Sequence, residues 1–330
     1  MMKAVENSLV SVIMPVYNAS AYLEEAITSI LDQSYQNFEF IIINDGSKDD
    51  TVEIIKRFDD ARIKLIDEKE NKGYTYRLNQ GIVLSEGEFI ARMDADDISL
   101  RERFAKQVEF LQNNRSVVVC GTALEIIGNA NYYINWVTDF DSEDLKIALL
   151  YQNGICHPSV MMRNPKHLQS GIFYNSEFEP AEDYEYWVRL SRKYKIANLP
   201  DLLIKYRAYD GQVSQQHNAL QETQKVRIIK TQLADLGLNP TSAQLNIHRR
   251  IFNAAVVVSA DYLPKVKEWL SILAKANQAM QQYPEPKFQE RLNLLLKKNE
   301  IAFRESVKAL PAMERVSLLL KQIIGWESIN

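Results

Sequence analysis

The first hundred residues alternate short apolar runs with amphipathic stretches, and most of the runs end in a polar or acidic turn. The runs are Leu9–Tyr17, Phe38–Ile43, Arg62–Ile66 and Phe89–Met93. Runs this short, with little apolar–polar alternation, suit strands buried on both faces. Between them, Leu23, Ile27, Ile30 and Leu31 form one face of a helix, with Ser20 placed to cap it and Glu24 and Glu25 in its first turn. Asp50 is expected to cap a second helix running to Phe58, with Glu53 set for a capping box, and Tyr74–Leu84 is a third. Strand–helix alternation of this kind predicts an α/β fold whose sheet is parallel and covered on both faces. Ligands then bind beyond the carboxyl ends of the strands. Tyr17-Asn18, Asp45-Gly46, Asn71–Gly73 and Asp94–Asp97 are therefore predicted to face one crevice.

Past a helix expected over Leu100–Gln112 the pattern changes. Val117–Cys120 and Tyr132–Ile134 read as strands with a turn near Gly128-Asn129, Glu143–Tyr151 as a helix and Ser159–Met162 as a strand. Ala181–Tyr194 reads as a helix opened by Glu182-Asp183. From Asn218 the signal is helical, with breaks expected at Gly237–Pro240, Pro264 and Pro284–Pro286. A boundary near Ser214 separates an α/β domain, 1–214, from a helical region, 215–330.

Composition narrows the function. Lys+Arg number 39 against 43 Asp+Glu, a net charge of −4 that argues against bulk nucleic-acid binding. The balance is uneven: residues 1–214 sum to −10, whereas residues 215–330 hold 16 basic and 10 acidic side chains. No apolar run approaches the roughly 20 residues that span a bilayer. Met1–Ser8 has no signal-peptide apolar core, so the expected location is the cytoplasm. Cys120 and Cys156 lack metal-ligand spacing and read as buried thiols.

The densest chemistry is Asp94-Ala95-Asp96-Asp97 at the end of the fourth run. Three carboxylates in four residues repel one another unless a cation or ligand hydroxyls meet them. A hard divalent ion carrying a diphosphate suits such a turn, because Mg²⁺ takes one or two protein carboxylates plus phosphate oxygens. The plainer alternative is a solvated acidic turn or a helix cap.

Several segments recur in a fixed order: Val12–Asn18, Ile43–Thr51, Asn71–Gly73, Gly87–Asp97, His157–Val160 and Glu182-Asp183. Through them the chain from about Ser8 to Ser214 resembles glycosyltransferase family 2, inverting enzymes with the GT-A fold, of the bacterial surface-polysaccharide type. The resemblance implies a GT-A catalytic domain, a Rossmann-like mixed sheet with helices on both faces, over 1–214. It implies that Pro15 and Tyr17 hold the base and ribose of a nucleotide sugar and that Asp45 accepts hydrogen bonds from the base. Lys72 and Gly73 would approach the ligand closely. Asp94 falls on the ribose side of Asp94-Ala95-Asp96, and Asp96 on a Mn²⁺ or Mg²⁺ ion. Asp97 would cap the next helix or support the loop. Asp183 would be the catalytic base that deprotonates the acceptor, with Glu182 holding that acceptor or the loop. His157 would touch phosphate or acceptor, and Trp187 would give a sugar ring an apolar platform, unless both are core residues.

Two departures from the family pattern stand out. Tyr74 and Tyr76 follow the loop glycine where small residues are usual. No histidine follows Tyr206-Arg207, which leaves a diphosphate contact there to Arg207 or Gln212. The expected activity is inverting transfer from a nucleotide-diphosphate sugar, UDP-linked by the resemblance, to a saccharide or lipid-linked saccharide acceptor in surface polysaccharide synthesis. The alternatives are a sugar-nucleotide-binding or scaffolding protein without turnover, and a nucleotidyltransferase. The latter would want a Gly- and Arg/Lys-rich loop after the first strand, which Pro15–Ser20 lacks. The basic C-terminal region would pack on the catalytic domain, form an oligomer or lie on an anionic membrane as a peripheral contact. Its last apolar run, Val316–Trp326, is the segment suited to that surface.

Overall fold

The computed structural model of the chain describes residues 7–128, 141–168, 173–209, 218–315 and 318. The four apolar runs form strands β1 (Val10–Val16), β2 (Phe38–Asp45), β3 (Ile63–Glu68) and β4 (Phe89–Arg92). Each of the first two is buried along its whole length, as strands covered on both faces must be. The helices between them are α1 (Leu23–Leu31), α2 (Thr51–Lys56) and α3 (Tyr74–Leu84). α1 buries Leu23, Ala26, Ile27 and Ile30 against the sheet, and the shared core includes Val12, Met14, Phe40, Ile42, Phe89, Phe104 and Val108. α3 reaches the sheet closely because Gly81 has no side chain: a Cβ there would lie 2.4 Å from Ile13 Cγ2.

The described sheet has eight strands, ordered β3-β2-β1-β4-β7-β6-β8-β5, where β5 is Ile98–Ser99, β6 Val117–Gly128, β7 Met161–Arg163 and β8 Lys195–Ala208. β1 pairs in parallel with β2 and β4, and β2 with β3. The sheet is not parallel throughout, because β7 lies antiparallel between β4 and β6, and β5 antiparallel to β8. Helices α4 (Arg103–Asn113), α5 (Ser142–Ala148) and α6 (Glu182–Ser191) complete this part.

Local chemistry corrects several expectations. Ser20 and Asp50 do not cap α1 and α2 through their side chains. Instead the second polar turn laces the first: Asp49 accepts from Ser20 N–H (3.0 Å), Thr51 Oγ1 from Ala19 N–H (2.8 Å) and Ser47 Oγ from Asn18 N–H (2.9 Å). α2 ends at Lys56, short of Phe58. β6 runs unbroken to Gly128, so the turn is not before it, and the strand expected at Tyr132–Ile134 lies outside the described residues. β8 contains Pro200, and a register shift against β6 between Thr122 and Ala123 accommodates it.

The chain divides into two compact units, one holding residues up to 149 with 153–225, the other residues 150–152 with those from 226 onward. The boundary expected near Ser214 lies outside the described residues. α7 (Asn218–Asp235) crosses the division, and α8 (Ser242–Ile251), α9 (Tyr262–Met280) and α10 (Lys287–Lys308) belong to the second unit. Pro264 does not break that region. It sits in the first turn of α9, where its missing N–H costs nothing. The second unit is organised around His248, fully buried, whose Nδ1 accepts from Trp269 Nε1–H (3.1 Å) and whose Nε2–H donates to Leu150 O (2.9 Å). Burial lowers its pKa to about 4. Among the described residues no helix is long and apolar enough to cross a membrane. The segment Val316–Trp326 lies outside the described residues except for Leu318, which is buried.

Candidate active site

The parallel register carries the ends of β1, β2 and β4 to one edge of the sheet, and the expected motifs leave the strands there. Pro15 is buried within β1, while Tyr17, just beyond it, is 50% exposed and offers its ring. Asn18 adopts φ 48°, a left-handed turn, and its Oδ1 accepts from Lys48 N–H (2.8 Å). Asp45 closes β2 and is 4% exposed. Its oxygens accept from Lys72 N–H (2.8 Å), Gly73 N–H (3.0 Å) and Arg77 Nε–H (2.6 Å). The carboxylate thus holds the Asn71–Gly73 loop from within, and its oxygens are already engaged. Gly73 has φ 91°, a conformation that favours glycine, with the Glu179 carboxylate 3.8 Å from where a Cβ would stand. The Lys72 side chain is exposed and its ammonium lies 5.3 Å from the Tyr76 ring centroid.

The acidic turn follows β4. Asp94, Ala95 and Asp96 are partly exposed and Asp97 is buried. One oxygen from each of the three carboxylates can be drawn with all of them within 4.8 Å of one another. Asp94 is bound bidentately by Arg92, with Nη1 2.6 Å from Oδ2. Asp96 Oδ2 accepts from Tyr209 Oη–H (3.1 Å). Asp97 Oδ1 accepts from Arg207 N–H (2.8 Å), whereas Oδ2 is buried with no protein hydrogen bond. Burial, then the Asp94 charge, raises the Asp96 carboxyl to about 6; burial, then Asp94 and Asp96, pushes Asp97 well above its usual range. Hard-oxygen donors with an unmet buried oxygen among them fit a divalent cation.

Glu182 and Asp183 open α6. Asp183 Oδ2 accepts from Asn153 Nδ2–H (2.7 Å) and Oδ1 from Tyr184 N–H (2.7 Å). Glu182 is buried and its Oε2 lacks a partner. Burial, then the Asp183 charge, raises Glu182 to about 8, and burial raises Asp183. The Arg92 charge acts on Asp94, Asp96 and Asp97 and also on Glu182 and Asp183, while Tyr74 feels both Asp94 and Glu182. Tyr74 joins the acidic turn to α6 by contact: its hydroxyl lies 3.4 Å from Asp94 Oδ1, its ring meets His157 edge-on at 6.2 Å, and His157 meets Trp187 of α6 at 5.8 Å.

His157 and Trp187 belong to an aromatic cluster with Tyr174 and Tyr186. His157 Nε2 bonds Tyr174 Oη (2.9 Å), and burial, then the Arg92 charge, holds its pKa well below the usual value. Trp187 is 0% exposed, so it presents no platform to a sugar ring and its role in this structure is packing. Arg207 is occupied by Glu25 and by the Asp96 carbonyl (2.8 Å), and Gln212 lies outside the described residues. The sequence pattern did not single out Arg92 or Tyr209. An arginine inside an otherwise apolar strand, two residues before a carboxylate, was the available signal, since a buried guanidinium requires a partner.

The mixed sheet and the acidic turn after β4 are those of the GT-A fold. Staphylococcus aureus TarS 1–349, crystallised in complex with UDP, matches this fold with a TM-score of 0.56 at 18% identity, covering 89% of each chain. The mannosyltransferase PcManGT of Pyrobaculum calidifontis, in complex with GDP-Man and Mn²⁺, matches with 0.52 at 17% identity, covering 95% of this chain and 79% of that one. In sequence, residues 11–170 match the model described as Glycosyl transferase family 2. A Haemophilus influenzae protein named as a glycosyltransferase is 32% identical over 287 residues, 83% of this chain and 87% of that one. The putative glycosyltransferase EpsE of Bacillus subtilis is 34% identical over 203 residues, 60% and 72% of the two chains. The chain belongs to glycosyltransferase family 2 and is a glycosyltransferase.

Proposed function

We propose that the enzyme moves a sugar from a nucleoside-diphosphate sugar, with UDP as the nucleotide, to a hydroxyl of a saccharide or lipid-linked saccharide, inverting the anomeric centre, in surface polysaccharide synthesis. The observation that carries this is the run of contacts from the acidic turn to α6: Asp94 Oδ1 lies 3.4 Å from Tyr74 Oη, the Tyr74 ring meets His157 at 6.2 Å, and His157 meets Trp187, one turn on from Asp183, at 5.8 Å. The UDP and GDP-Man complexes of the structural relatives support a nucleotide-sugar donor.

Tyr17 receives the base on its exposed ring, and Pro15 sets the end of β1 beneath it. Asp45 acts indirectly, holding Lys72 and Gly73 against the ligand. Asp96, helped by the unmet oxygen of Asp97, would hold Mn²⁺ or Mg²⁺, while Asp94 faces the ribose. Such an ion, when bound, neutralises the diphosphate leaving group. Asp183 takes the acceptor proton from the face opposite the leaving group. Glu182, raised to about 8, keeps its proton at neutral pH and donates it in a hydrogen bond to the acceptor.

The test is a panel of nucleotide sugars assayed for Mn²⁺-dependent hydrolysis and for thermal stabilisation. At least one UDP-sugar is expected to be both hydrolysed and stabilising. A response confined to nucleoside triphosphates, or none, overturns the proposal.

A further inference from the structure

We infer that Arg92 and Tyr74 form a buried clamp that fixes the Asp94 carboxylate and ties the loop after β3 to the acidic turn, making both positioning residues for sugar transfer. Arg92 ends β4 with 5% exposure, and its guanidinium meets Asp94 through two nitrogens. A bidentate pair fixes the plane of a carboxylate as well as its place. The same guanidinium donates Nε–H to Tyr74 Oη (2.7 Å), and Nη2 bonds that oxygen too. With its acceptor capacity taken, the Tyr74 hydroxyl has its own proton to give, and Asp94 Oδ1 stands 3.4 Å away. Arg92, Tyr74 and Asp94 thus close a ring of three side chains from two elements.

Energetics gives the ring its direction. A desolvated guanidinium is costly without a carboxylate, so Arg92 and Asp94 hold one another in place. Removing Arg92 would take away the guanidinium that engages both oxygens of Asp94 where three carboxylates converge, and mutual repulsion would spread them. The backbone is braced from behind, since the fully buried Arg103 donates through Nη2 to the Arg92 carbonyl (2.8 Å) and the Val160 carbonyl (3.0 Å). Tyr74 is the first residue of α3, directly after Gly73, whose N–H is held by Asp45. The clamp therefore joins two ligand-facing segments that are separate in sequence. The Tyr74 ring meets His157 edge-on at 6.2 Å.

The inference rests on the proposed metal and nucleotide site, so its test separates the two. Calorimetric titrations of MnCl₂, and of UDP with and without Mn²⁺, are run on the wild-type chain, Tyr74→Phe and Arg92→Lys, with Tm measured alongside. Phe keeps the ring and removes only the hydroxyl; Lys keeps the charge and loses the bidentate grip. The clamp holds Asp94, the carboxylate assigned to the ribose, so both variants are expected to weaken UDP binding by roughly tenfold, about the worth of one hydrogen bond to a charged group, with Mn²⁺ binding weakened as the turn spreads. If the wild-type chain binds no Mn²⁺, the metal assignment fails, and the clamp is judged on metal-free UDP affinity, expected to fall by a similar factor. Mn²⁺ and UDP affinities within twofold of wild type in Tyr74→Phe overturn the inference, whatever happens to Tm, and this holds even if Arg92→Lys does not fold.

Discussion

Single side chains in this enzyme are assigned by what their partners leave free. Asp94, Asp96 and Asp97 are near neighbours in sequence, yet Arg92 engages the first, Tyr209 touches the second and the third keeps one buried oxygen unmet. Asp96→Ala is expected to abolish metal-dependent turnover while leaving the fold intact, because the side chain is only partly buried; circular dichroism and a Mn²⁺ titration of activity check this, and unchanged turnover removes the ion from Asp96. Asp183→Asn is nearly isosteric but cannot take a proton. It should retain donor affinity and lose roughly 10²–10⁴-fold in transfer rate, the usual worth of a positioned base. Donor binding by calorimetry beside transfer kinetics separates the two effects, and retained transfer would move the base elsewhere.

At the scale of elements, the site depends on how closely α3 approaches the sheet. Gly81 makes that approach possible, and a methyl group would overlap Ile13 of β1. Gly81→Ala is expected to destabilise the chain by about 1–3 kcal/mol, the usual cost of overpacking a filled core. Urea unfolding measures the loss, and an unchanged midpoint would show that α3 shifts freely. Gly73 is limiting for another reason. Its φ of 91° is paid by no side chain but glycine without strain, so Gly73→Ala should weaken nucleotide binding more than it lowers stability. The strands β1, β2 and β4 were legible from hydrophobic pattern alone, because each buries a nearly uninterrupted apolar run, whereas β3, an edge strand with no buried residue, and α3 were legible from their place in the strand–helix alternation. β8 was not, since Pro200 and its flanking polar residues resemble a loop until β6 supplies a partner with a matching register shift.

For the molecule as a whole, two buried titrating groups act on stability in opposite directions of pH. In the first unit, burial and then the Asp183 charge raise the Glu182 carboxyl to about 8 from an ordinary value near 4.5. The folded chain therefore holds a proton that the unfolded chain has lost, and stability falls as pH rises from 4.5 toward 8. His248, in the second unit, has a folded pKa of about 4 against 6.5. Here the unfolded chain binds the extra proton, so stability falls as pH drops from 6.5 toward 4, by on the order of 3 kcal/mol across that window. Between pH 4.5 and 6.5 the two slopes oppose and largely offset one another, so urea midpoints should fall only from pH 6.5 toward 8, where Glu182 acts alone. Glu182→Gln should remove that fall and uncover the His248 rise between pH 4 and 6.5; a profile insensitive to Glu182→Gln would show that this carboxyl is not held protonated.

The sequence by itself determined the strand–helix alternation, the order of the polar turns and hence the family, because these depend on local periodicity and on short segments of fixed chemistry. It also placed Asp94, Asp96 and Asp183 as the carboxylates to watch. Only the tertiary structure decided how they divide their work. Whether a carboxylate is free, clamped or protonated depends on which groups from distant elements surround it and how much water they exclude. Arg92, Tyr74 and Tyr209 surround the acidic turn, the aromatic cluster buries Trp187, and the loop after β3 donates to Asp45.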